Sequence, residues 1–262
     1  MYEGFDIAGR VAVVTGGTSG LGRAVAQGMA HAGARVFAGS RDPERVALAR
    51  AELRAIDPEN DAFELDVTDP ESVRSVYDSV RARAGRIDIL VNAAGATHRA
   101  AALDATLDDW ERVLRVNLTG TFLSCQAAAR IMAEQGGGGA IVNFGSLASF
   151  RGWALTASYG ASKAAVVELT QTLAVEWSRY GIRVNALAPG VFPTPLNRAL
   201  IDGTPRGRWF ALHSAAGRFG EASELVGAAI FLASPAASYI TGETLAVDGG
   251  FLALGVAAEP PV

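Results

Sequence analysis

The chain has 262 residues, half of them hydrophobic, which is enough to bury a large core in one α/β domain or to fill two domains. Its 23 Lys and Arg residues are scattered and outnumbered by 27 Asp and Glu residues, so the net charge is −4 and we expect no nucleic-acid partner. The single cysteine, Cys125, excludes an internal disulfide and a cysteine metal cluster; we interpret it as a small core residue and predict no metal site.

The N-terminal stretch MYEGFDIAGR carries acids and lacks the charged-then-apolar layout of a signal peptide. No apolar run approaches the ~20 residues that a membrane span needs. We therefore expect a soluble, cytoplasmic protein without a membrane partner.

A first strand is predicted over residues 11–14, followed by a glycine-rich turn and an alanine-rich helical pattern that runs to His31. Strand, glycine turn and helix are typical of a nucleotide-binding opening, because glycines let the backbone approach a pyrophosphate that the amides at the helix N-terminus can bind. The spacing T-G-x-x-x-G-x-G after a first strand is more discriminating than a lone glycine turn. The predicted phosphate-binding residues are Gly16, Thr18, Ser19, Gly20, Leu21 and Gly22.

A second strand over residues 35–39 leads to Ser40 and Arg41, where the adenosine ribose of a dinucleotide would lie. An acid at this point would repel a 2′-phosphate, whereas a hydroxyl and a guanidinium suit it. The pattern therefore favours NADP(H) over NAD(H). The alternative is a solvated arginine in the turn before Asp42 and Pro43.

The third strand, over residues 62–65, is followed by Asp66, Val67 and Thr68. Asp66 can accept a hydrogen bond from the adenine amine, while Thr68 or Asp69 can be the N-cap of the helix after Pro70. Both interpretations can hold together.

The fourth strand, over residues 87–91, ends in the small-residue run Asn92, Ala93, Ala94 and Gly95, where a cofactor can pass close to the backbone. The Asn92 amide can tie neighbouring strands together, so we expect it to be structural rather than catalytic.

A long helical pattern covers residues 106–135 and contains Asn117 among apolar neighbours. Asparagine disfavours a helix interior, and a buried amide needs hydrogen-bond partners. A purely structural amide remains an alternative to a functional one.

The fifth strand, over residues 140–144, places Ser146 at the carboxyl end of the sheet, where open α/β sheets bind ligands. Tyr159 and Lys163 are four residues apart and share one face of the next helix. A phenol titrates near pH ~10, and an adjacent ammonium lowers that pKa, so the pair can serve as an acid/base. A solvated helix face is the alternative.

A sixth strand over residues 182–187 leads to a proline-rich turn, and a mixed segment follows within residues 194–215 that we interpret as a substrate lid or an ordinary loop. A helix over 222–232 and a strand over 244–247 complete the alternation. It predicts an α/β fold: a single-domain Rossmann fold over residues 1–262, with a doubly wound parallel sheet of about seven strands flanked by helices.

These segments resemble the short-chain dehydrogenase/reductases, single-domain Rossmann-fold oxidoreductases, over nearly the full length of the chain. The motifs stand in family order and at family spacing: TGGTSGLG at 15–22, the Asp66-Val67 pair, NAAG at 92–95, Asn117, Ser146, YGASK at 159–163, PGVFPT at 189–194 and ITGETLAVDGG at 240–250.

The resemblance implies a catalytic tetrad of Asn117, Ser146, Tyr159 and Lys163. Ser146 would hydrogen-bond the substrate oxygen, Tyr159 would exchange its proton, and Lys163 would hold the nicotinamide ribose and lower the tyrosine pKa. Asn117 would position a water between Lys163 and solvent. Hydride transfer leaves an alkoxide-like oxygen, and donors placed around that oxygen in advance stabilise it.

The expected cofactor residues follow from the motifs and the resemblance, with Thr194 contacting the nicotinamide carboxamide or the phosphates. Many NADP-dependent relatives carry a basic residue just before the second motif glycine, where this chain has Ser19, so NAD(H) stays open as an alternative. The set is Gly16, Thr18, Ser19, Gly20, Leu21, Gly22, Ser40, Arg41, Asp66, Val67, Asn92, Ala93, Gly95, Tyr159, Lys163, Pro189, Gly190, Phe192 and Thr194.

For the substrate, the downstream pattern looks most like sugar-acid reductases of the gluconate 5-dehydrogenase type, which implies a sugar-acid or polyol-like carbonyl compound. The expected pocket residues are Ser146, Arg151, Trp153, Phe192 and Leu196, with His98 and Trp209 as further candidates. The alternative for His98 is a loop histidine, and for the tryptophans it is packing.

Two other functions also fit parts of the sequence. The 3-oxoacyl-carrier-protein reductases are similar as well, but an acidic carrier protein needs a basic surface, and the long helix ends in Glu134 and Gln135 with Arg130 as the one basic residue nearby. A non-catalytic dinucleotide-binding scaffold is the alternative of another class, because a fold alone does not give a function. The resemblance also implies a homotetramer through the helices that hold Asn117 and Tyr159.

Overall fold

The computed structural model describes residues 3–195 and 197–255. Within this part of the chain, parallel strands form a seven-stranded sheet in the order β3-β2-β1-β4-β5-β6-β7, which confirms the predicted doubly wound fold. The strands are Val11–Thr15 (β1), Arg35–Ser40 (β2), Asp61–Glu64 (β3), Ile89–Asn92 (β4), Gly139–Phe144 (β5), Ile182–Pro189 (β6) and Thr244–Val247 (β7). The strand order reverses between β1 and β4, and such a reversal opens a ligand crevice beyond the carboxyl ends of the strands.

Helices connect the strands. They are Gly20–His31 (α1), Pro43–Ile56 (α2), Pro70–Ala84 (α3), Leu107–Leu114 (α4), Gly120–Gln135 (α5), Ala157–Trp177 (α6), Arg198–Ile201 (α7), Pro205–Leu212 (α8) and Ala222–Ala233 (α9).

Helices cover both faces of the sheet because successive strand residues point to opposite sides. Val14 and Val36 pack into one core with the buried residues of α1, α2 and α9. Val13 and Phe37, their immediate neighbours, pack into the other core with α3, α5 and α6. Strands buried on both faces explain the continuous apolar runs in the sequence.

The predicted continuous helix over residues 106–135 is interrupted by a π-helical turn, Arg115–Thr119, between α4 and α5. Asn117 lies in this turn and is fully buried. Its side chain hydrogen-bonds the backbone of Ala96, and the Thr121 hydroxyl donates to its carbonyl oxygen at 2.7 Å. These contacts lie outside the regular helical ladder, and they account for the wider turn.

The segment predicted as mixed contains two short helices. Thr204 caps α8, since its hydroxyl accepts from the Gly207 amide at 3.0 Å and donates to the carbonyl of Leu200 at 2.8 Å. A Cβ at Gly207 would lie 1.8 Å from the carbonyl oxygen of Ile201, so the two helices are in direct backbone contact. In the described ranges, no helix combines the length and hydrophobicity required to traverse a lipid bilayer.

Candidate active site

A cleft of about 640 Å³ lies beyond the carboxyl ends of the strands. It is built from the turn after β1, the ends of β2, β4, β5 and β6, the first half of α6, and the α7–α8 segment. Most of the predicted cofactor residues line it: Gly16, Thr18, Ser19, Gly20, Leu21, Gly22, Ser40, Arg41, Val67, Ala93, Gly95, Tyr159, Lys163, Pro189, Gly190, Phe192 and Thr194.

The glycine turn after β1 allows two close backbone approaches. A Cβ at Gly16, where φ is +68°, would lie 2.6 Å from the amide nitrogen of Ala94, and a Cβ at Gly22 would lie 2.3 Å from the carbonyl oxygen of Gly16. The N-cap of α1, Ser19, makes no side-chain capping bond, so the first amides of this helix face the cleft. A backbone cradle at a helix N-terminus fits a pyrophosphate.

The end of the cleft beside Ser40 and Arg41, the predicted adenosine end, carries two arginines. The Thr18 hydroxyl donates to the Ser40 hydroxyl at 2.7 Å, which joins the glycine turn to the end of β2. Arg41 lines the cleft here, as predicted, and so does Arg45, which the sequence analysis missed. Asp42 caps α2 and pairs with Arg45 at 3.0 Å, which holds this side chain at the N-terminus of α2. The four-residue spacing of Arg41 and Arg45 was the sequence signal that could have identified Arg45.

Asp66 and Asn92 do not stand on the cleft wall described above. Oδ1 of Asp66 accepts from the amide and hydroxyl of Thr68, at 2.9 and 2.8 Å, while its neighbours Leu65 and Val67 line the cleft. The helix cap is Asp69, which accepts from the Glu71 amide. An adenine contact of Asp66 stays a prediction.

The structural interpretation of Asn92 agrees with its contacts. Its Nδ2 donates to Oδ1 of Asn143 on β5 at 2.9 Å and to Sγ of Cys125 at 3.1 Å. The amide therefore ties two strands to α5 through a buried network. Cys125 is fully buried in this network, and burial raises the pKa of its thiol to about 12.

Ser146 is held at the end of β5 by a short 3₁₀ turn, Leu147–Ser149. Its hydroxyl accepts from the Ala148 amide at 3.1 Å, and its own amide donates to the Ser149 hydroxyl at 3.2 Å. The Ser149 hydroxyl donates in turn to the carbonyl of Lys163, which docks α6 against this turn. Ser146, Tyr159 and Lys163 all line the cleft.

Tyr159 and Lys163 lie near each other on α6, and burial affects the pKa of both side chains. Lys163 lies 5.9 Å from the centroid of the Tyr159 ring, but its Nζ donates to the carbonyl of Phe144 at 2.6 Å. Burial raises the pKa of Tyr159, and a hydrogen bond from Ser146 opposes that rise. Burial also lowers the pKa of Lys163, to about 8. A lowering of the tyrosine pKa by Lys163 stays a prediction.

Asn117 has a complete set of side-chain hydrogen bonds. Oδ1 accepts from the Ala96 amide at 2.7 Å, and Nδ2 donates to the Ala96 carbonyl and the Ser162 hydroxyl, both at 2.9 Å. A Cβ at Gly95 would lie 3.6 Å from Oδ1 of Asn117 and 3.9 Å from Nζ of Lys163, so the two predicted tetrad members flank this glycine.

At the far end of the cleft, Trp153 and Phe192 are cleft-lining, as predicted. Three other candidates point elsewhere: Arg151 is exposed and donates to the Phe150 carbonyl, His98 lies 3.4 Å from Asp109, and Trp209 stacks on His213 at 3.8 Å. These local partners hold them outside the cleft wall. The remaining candidate, Leu196, lies outside the described residues.

Two arginines that the sequence analysis did not single out line this same end. Arg99 follows β4, and its Nε is buried without a hydrogen-bond partner in the described part of the chain. Arg206 lies on the first turn of α8, and the pKa of its guanidinium is lowered by burial and by the positive charge of Arg99. Among the described residues that line the cleft, the one acid is Asp42, at the opposite end.

The residues 3–195 and 197–255 contain no group of three His, Cys, Asp or Glu side chains suited to a metal ion. A phosphate cradle, a basic end beside β2 and a Ser-Tyr-Lys set on the cleft wall define the class: an α/β oxidoreductase that binds a nicotinamide dinucleotide. A family model described as Enoyl-(Acyl carrier protein) reductase matches residues 16–252. The chain belongs to the short-chain dehydrogenase/reductase family, and it is an NAD(P)-dependent enzyme acting on an alcohol or its carbonyl counterpart.

Several relatives are similar over almost their whole length. The chain is 43% identical over 247 residues to D-threitol dehydrogenase of Mycolicibacterium smegmatis, covering 94% of each protein. It is 40% identical to 2-dehydro-3-deoxy-D-gluconate 5-dehydrogenase of Bacillus subtilis, covering 96% of this chain and 98% of the relative. The crystal structure of a gluconate 5-dehydrogenase from Burkholderia cenocepacia, in complex with NADP and tartrate, superposes with a TM-score of 0.92 at 42% identity, covering 97% and 99% of the two chains.

Proposed function

We propose that this protein is an NADP(H)-dependent oxidoreductase that interconverts a ketone and a secondary alcohol on a sugar acid, with Tyr159 as acid/base. The observation that carries the proposal is one cleft that holds Ser146, Tyr159 and Lys163 between two pairs of arginines. Arg41 and Arg45 stand at the adenosine end, and Arg99 and Arg206 at the other.

The proton chemistry is assigned to Ser146 and Tyr159. In the reducing direction, both hydroxyls donate to the substrate carbonyl oxygen, and the proton that neutralises the developing alkoxide comes from Oη of Tyr159. The raised pKa of the phenol keeps this proton in place until the substrate oxygen gains charge. Bound NADPH supplies the hydride, and NADP⁺ accepts it in the opposite direction.

The roles of Lys163 and Asn117 are secondary in this proposal. Lys163 is assigned to the nicotinamide ribose, and its bond to Phe144 fixes the ammonium at the cleft wall. Asn117 holds the loop after β4 through Ala96, and it keeps Gly95 beside Lys163. A water between Lys163 and solvent remains part of the prediction for Asn117.

The preference for NADP(H) is supported by the basic adenosine end. A 2′-phosphate requires cationic and hydroxyl donors, and Ser40, Arg41 and Arg45 supply them. Structures of four relatives carry NADP, including the Burkholderia enzyme. NAD(H) is the second candidate, since the position before Gly20 is a serine.

The preference for a sugar acid over a neutral polyol is supported by Arg99. The relatives include D-threitol and sorbitol dehydrogenases as well as gluconate-type enzymes, so resemblance alone leaves both classes open. A cationic side chain with a buried, unpartnered Nε in the described cleft suits a carboxylate. Trp153 and Phe210, beside it, offer apolar faces for the carbon chain of a sugar.

The 3-oxoacyl-carrier-protein reductase alternative has weaker support. Such an enzyme from Thermotoga maritima is 37% identical over 245 residues. At the end of α5, however, Glu134 is paired with Arg81 at 2.7 Å, so the positive charge of Arg81 is already neutralised and offers little attraction to an acidic carrier protein.

The proposal is tested by absorbance at 340 nm with NADP⁺ or NAD⁺ and D-gluconate, D-sorbitol or D-threitol, and with NADPH and an acetoacetyl thioester. We expect the highest kcat/KM for NADP⁺ with D-gluconate. Tight NADPH binding without turnover of any alcohol or ketone would support the non-catalytic scaffold instead. A cytoplasmic location and a homotetramer remain predictions from the sequence. Light scattering, which measures the mass of the particle, would test the homotetramer.

A further inference from the structure

We propose that Arg206, on the first turn of α8, is a specificity residue that binds the substrate carboxylate together with Arg99. The inference rests on the proposed function, because it places a sugar acid in the same cleft. Arg206 would be a second group that recognises the carboxylate, besides Arg99. It comes from α8, between β6 and α9, whereas Arg99 comes from the loop after β4.

The charges around Arg206 suit this role. Arg99 and Arg206 are far apart in the sequence, yet both line one end of the cleft, and the charge of Arg99 reaches the guanidinium of Arg206. Two partly buried guanidinium groups repel each other unless an anion lies between them. The described wall of the cleft supplies none, because its one carboxylate, Asp42, lies at the adenosine end and is bonded to Arg45. A bound anionic ligand would supply the missing counter-charge.

The position of Arg206 also suits this role. The guanidinium carbon of Arg206 lies 5.2 Å from the centroid of the Phe210 ring, one helical turn further along α8. Phe210 is buried and packs against Trp153 with ring centroids 5.1 Å apart. The arginine is thus supported by the aromatic wall of the cleft, where its N–H groups can reach a substrate lying on that wall.

Helix α8 is itself held by local contacts. Thr204 caps the helix, and Gly207 contacts the backbone of Ile201 so closely that no side chain would fit. The first turn of α8, which carries Arg206, therefore has a defined position. A planar guanidinium in a defined position can bind a carboxylate through two parallel hydrogen bonds.

Two anions could occupy this position: the carboxylate of the substrate and the pyrophosphate of the cofactor. We favour the substrate carboxylate, because Arg206 is on the side of Trp153 and Phe210, whereas the pyrophosphate cradle is the glycine turn after β1. If the anion is the substrate carboxylate, removing Arg206 weakens substrate binding. If it is the pyrophosphate, removing Arg206 weakens NADPH binding, so separate binding measurements distinguish the two.

The experiment compares D-gluconate with D-sorbitol, which differ at one carbon: gluconate carries a carboxylate where sorbitol carries a hydroxymethyl group. Each is titrated calorimetrically into the NADPH-loaded protein, in which neither alcohol can be oxidised. The variants are Arg206→Gln and, as a matched control, Arg208→Gln, an exposed arginine on the same helix outside the cleft wall. We expect Arg206→Gln to weaken gluconate binding about tenfold or more and sorbitol binding by less than about twofold, with neither changed by Arg208→Gln.

The inference is overturned if gluconate binds the wild-type complex no more tightly than sorbitol, or if Arg206→Gln weakens both sugars equally. It is also overturned if Arg206→Gln weakens NADPH binding and leaves gluconate binding unchanged, since the arginine would then belong to the cofactor. The proposed function is judged separately, by whether wild-type protein reduces NADP⁺ with D-gluconate.

Discussion

The ammonium nitrogen of Lys163 lies 2.6 Å from the carbonyl oxygen of Phe144, the last residue of β5. This bond connects α6 to the strand that leads to Ser146, and it satisfies a lysine that is only 5% exposed. Burial lowers the pKa of that lysine to about 8, because the charged form loses hydration. The charge is thus destabilised by folding, and this has a measurable effect on stability.

We predict that the free energy of unfolding rises with pH because of Lys163. The unfolded chain holds the lysine proton up to the ordinary pKa of 10.5, whereas the folded chain releases it near 8, so the unfolded state binds more protons between those values. Relative to Lys163→Met, wild-type protein should gain about 2 kcal/mol between about pH 7.5 and about pH 9.5. Urea unfolding of both proteins at several pH values measures this gain.

The comparison with Lys163→Met removes the effects of other buried groups, such as Cys125, because both proteins share them. At pH values below the folded pKa, the difference in unfolding free energy between the two proteins should level off. Lys163 is then protonated in both the folded and the unfolded state. A difference that does not change with pH would contradict the prediction.

We predict that Tyr159→Phe lowers kcat by at least about a hundredfold, because it removes the proposed acid/base. The affinity for NADPH should change by less than about twofold, since the aromatic ring is kept. Tyr180→Phe is the control: Tyr180 is 40% exposed and lies beyond the end of α6. Steady-state kinetics and fluorescence titration with NADPH measure the two effects. Near-wild-type turnover in Tyr159→Phe would show that the acid/base is assigned to the wrong residue.

We predict that Arg41→Ala and Arg45→Ala both raise the KM for NADPH, by about tenfold and about threefold respectively, because each removes a cation from the proposed 2′-phosphate site. Arg45 has the smaller effect, since its charge is shared with Asp42. The KM for NADH, which lacks the 2′-phosphate, serves as the internal control and should stay within about twofold. Equal effects on the two cofactors would contradict a phosphate contact.

The local patterns were sufficient to predict the sheet, because strand, turn and helix signals depend on neighbouring residues. The glycine turn before α1 and the proline at the start of α2 are examples. The π-helical turn at Asn117 could not be predicted in this way, since it depends on a tertiary contact with Ala96. The helical periodicity of residues 106–135 continues on either side of the interruption.

The candidate site was predictable where its residues stand at fixed spacing from a strand end. Arg41 and Gly190 directly follow β2 and β6, Ser146 stands two residues after β5, and all three line the cleft. Arg99 and Arg206 come from segments without a recognisable pattern, and their proximity depends on how α8 folds back. Trp209 and Arg151 were predicted as pocket residues from their position in the sequence. In the structure, Trp209 on α8 stacks on His213, and Arg151 in the turn after β5 donates to the Phe150 carbonyl.

We predict that Gly16→Ala is far more damaging than Gly9→Ala, although both glycines have nearly the same left-handed φ angle. Their φ angles are +68° and +71°, so an alanine at either position should cost about 1 kcal/mol of stability. A Cβ at Gly9 meets nothing within 4 Å, whereas a Cβ at Gly16 would lie 2.6 Å from the amide nitrogen of Ala94. Gly16→Ala should therefore lose clearly more stability and weaken NADPH binding about tenfold or more, because the phosphate turn must move. Urea unfolding and NADPH titration of both variants measure this, and equal losses would show that the approach of this turn to the loop after β4 is not a constraint.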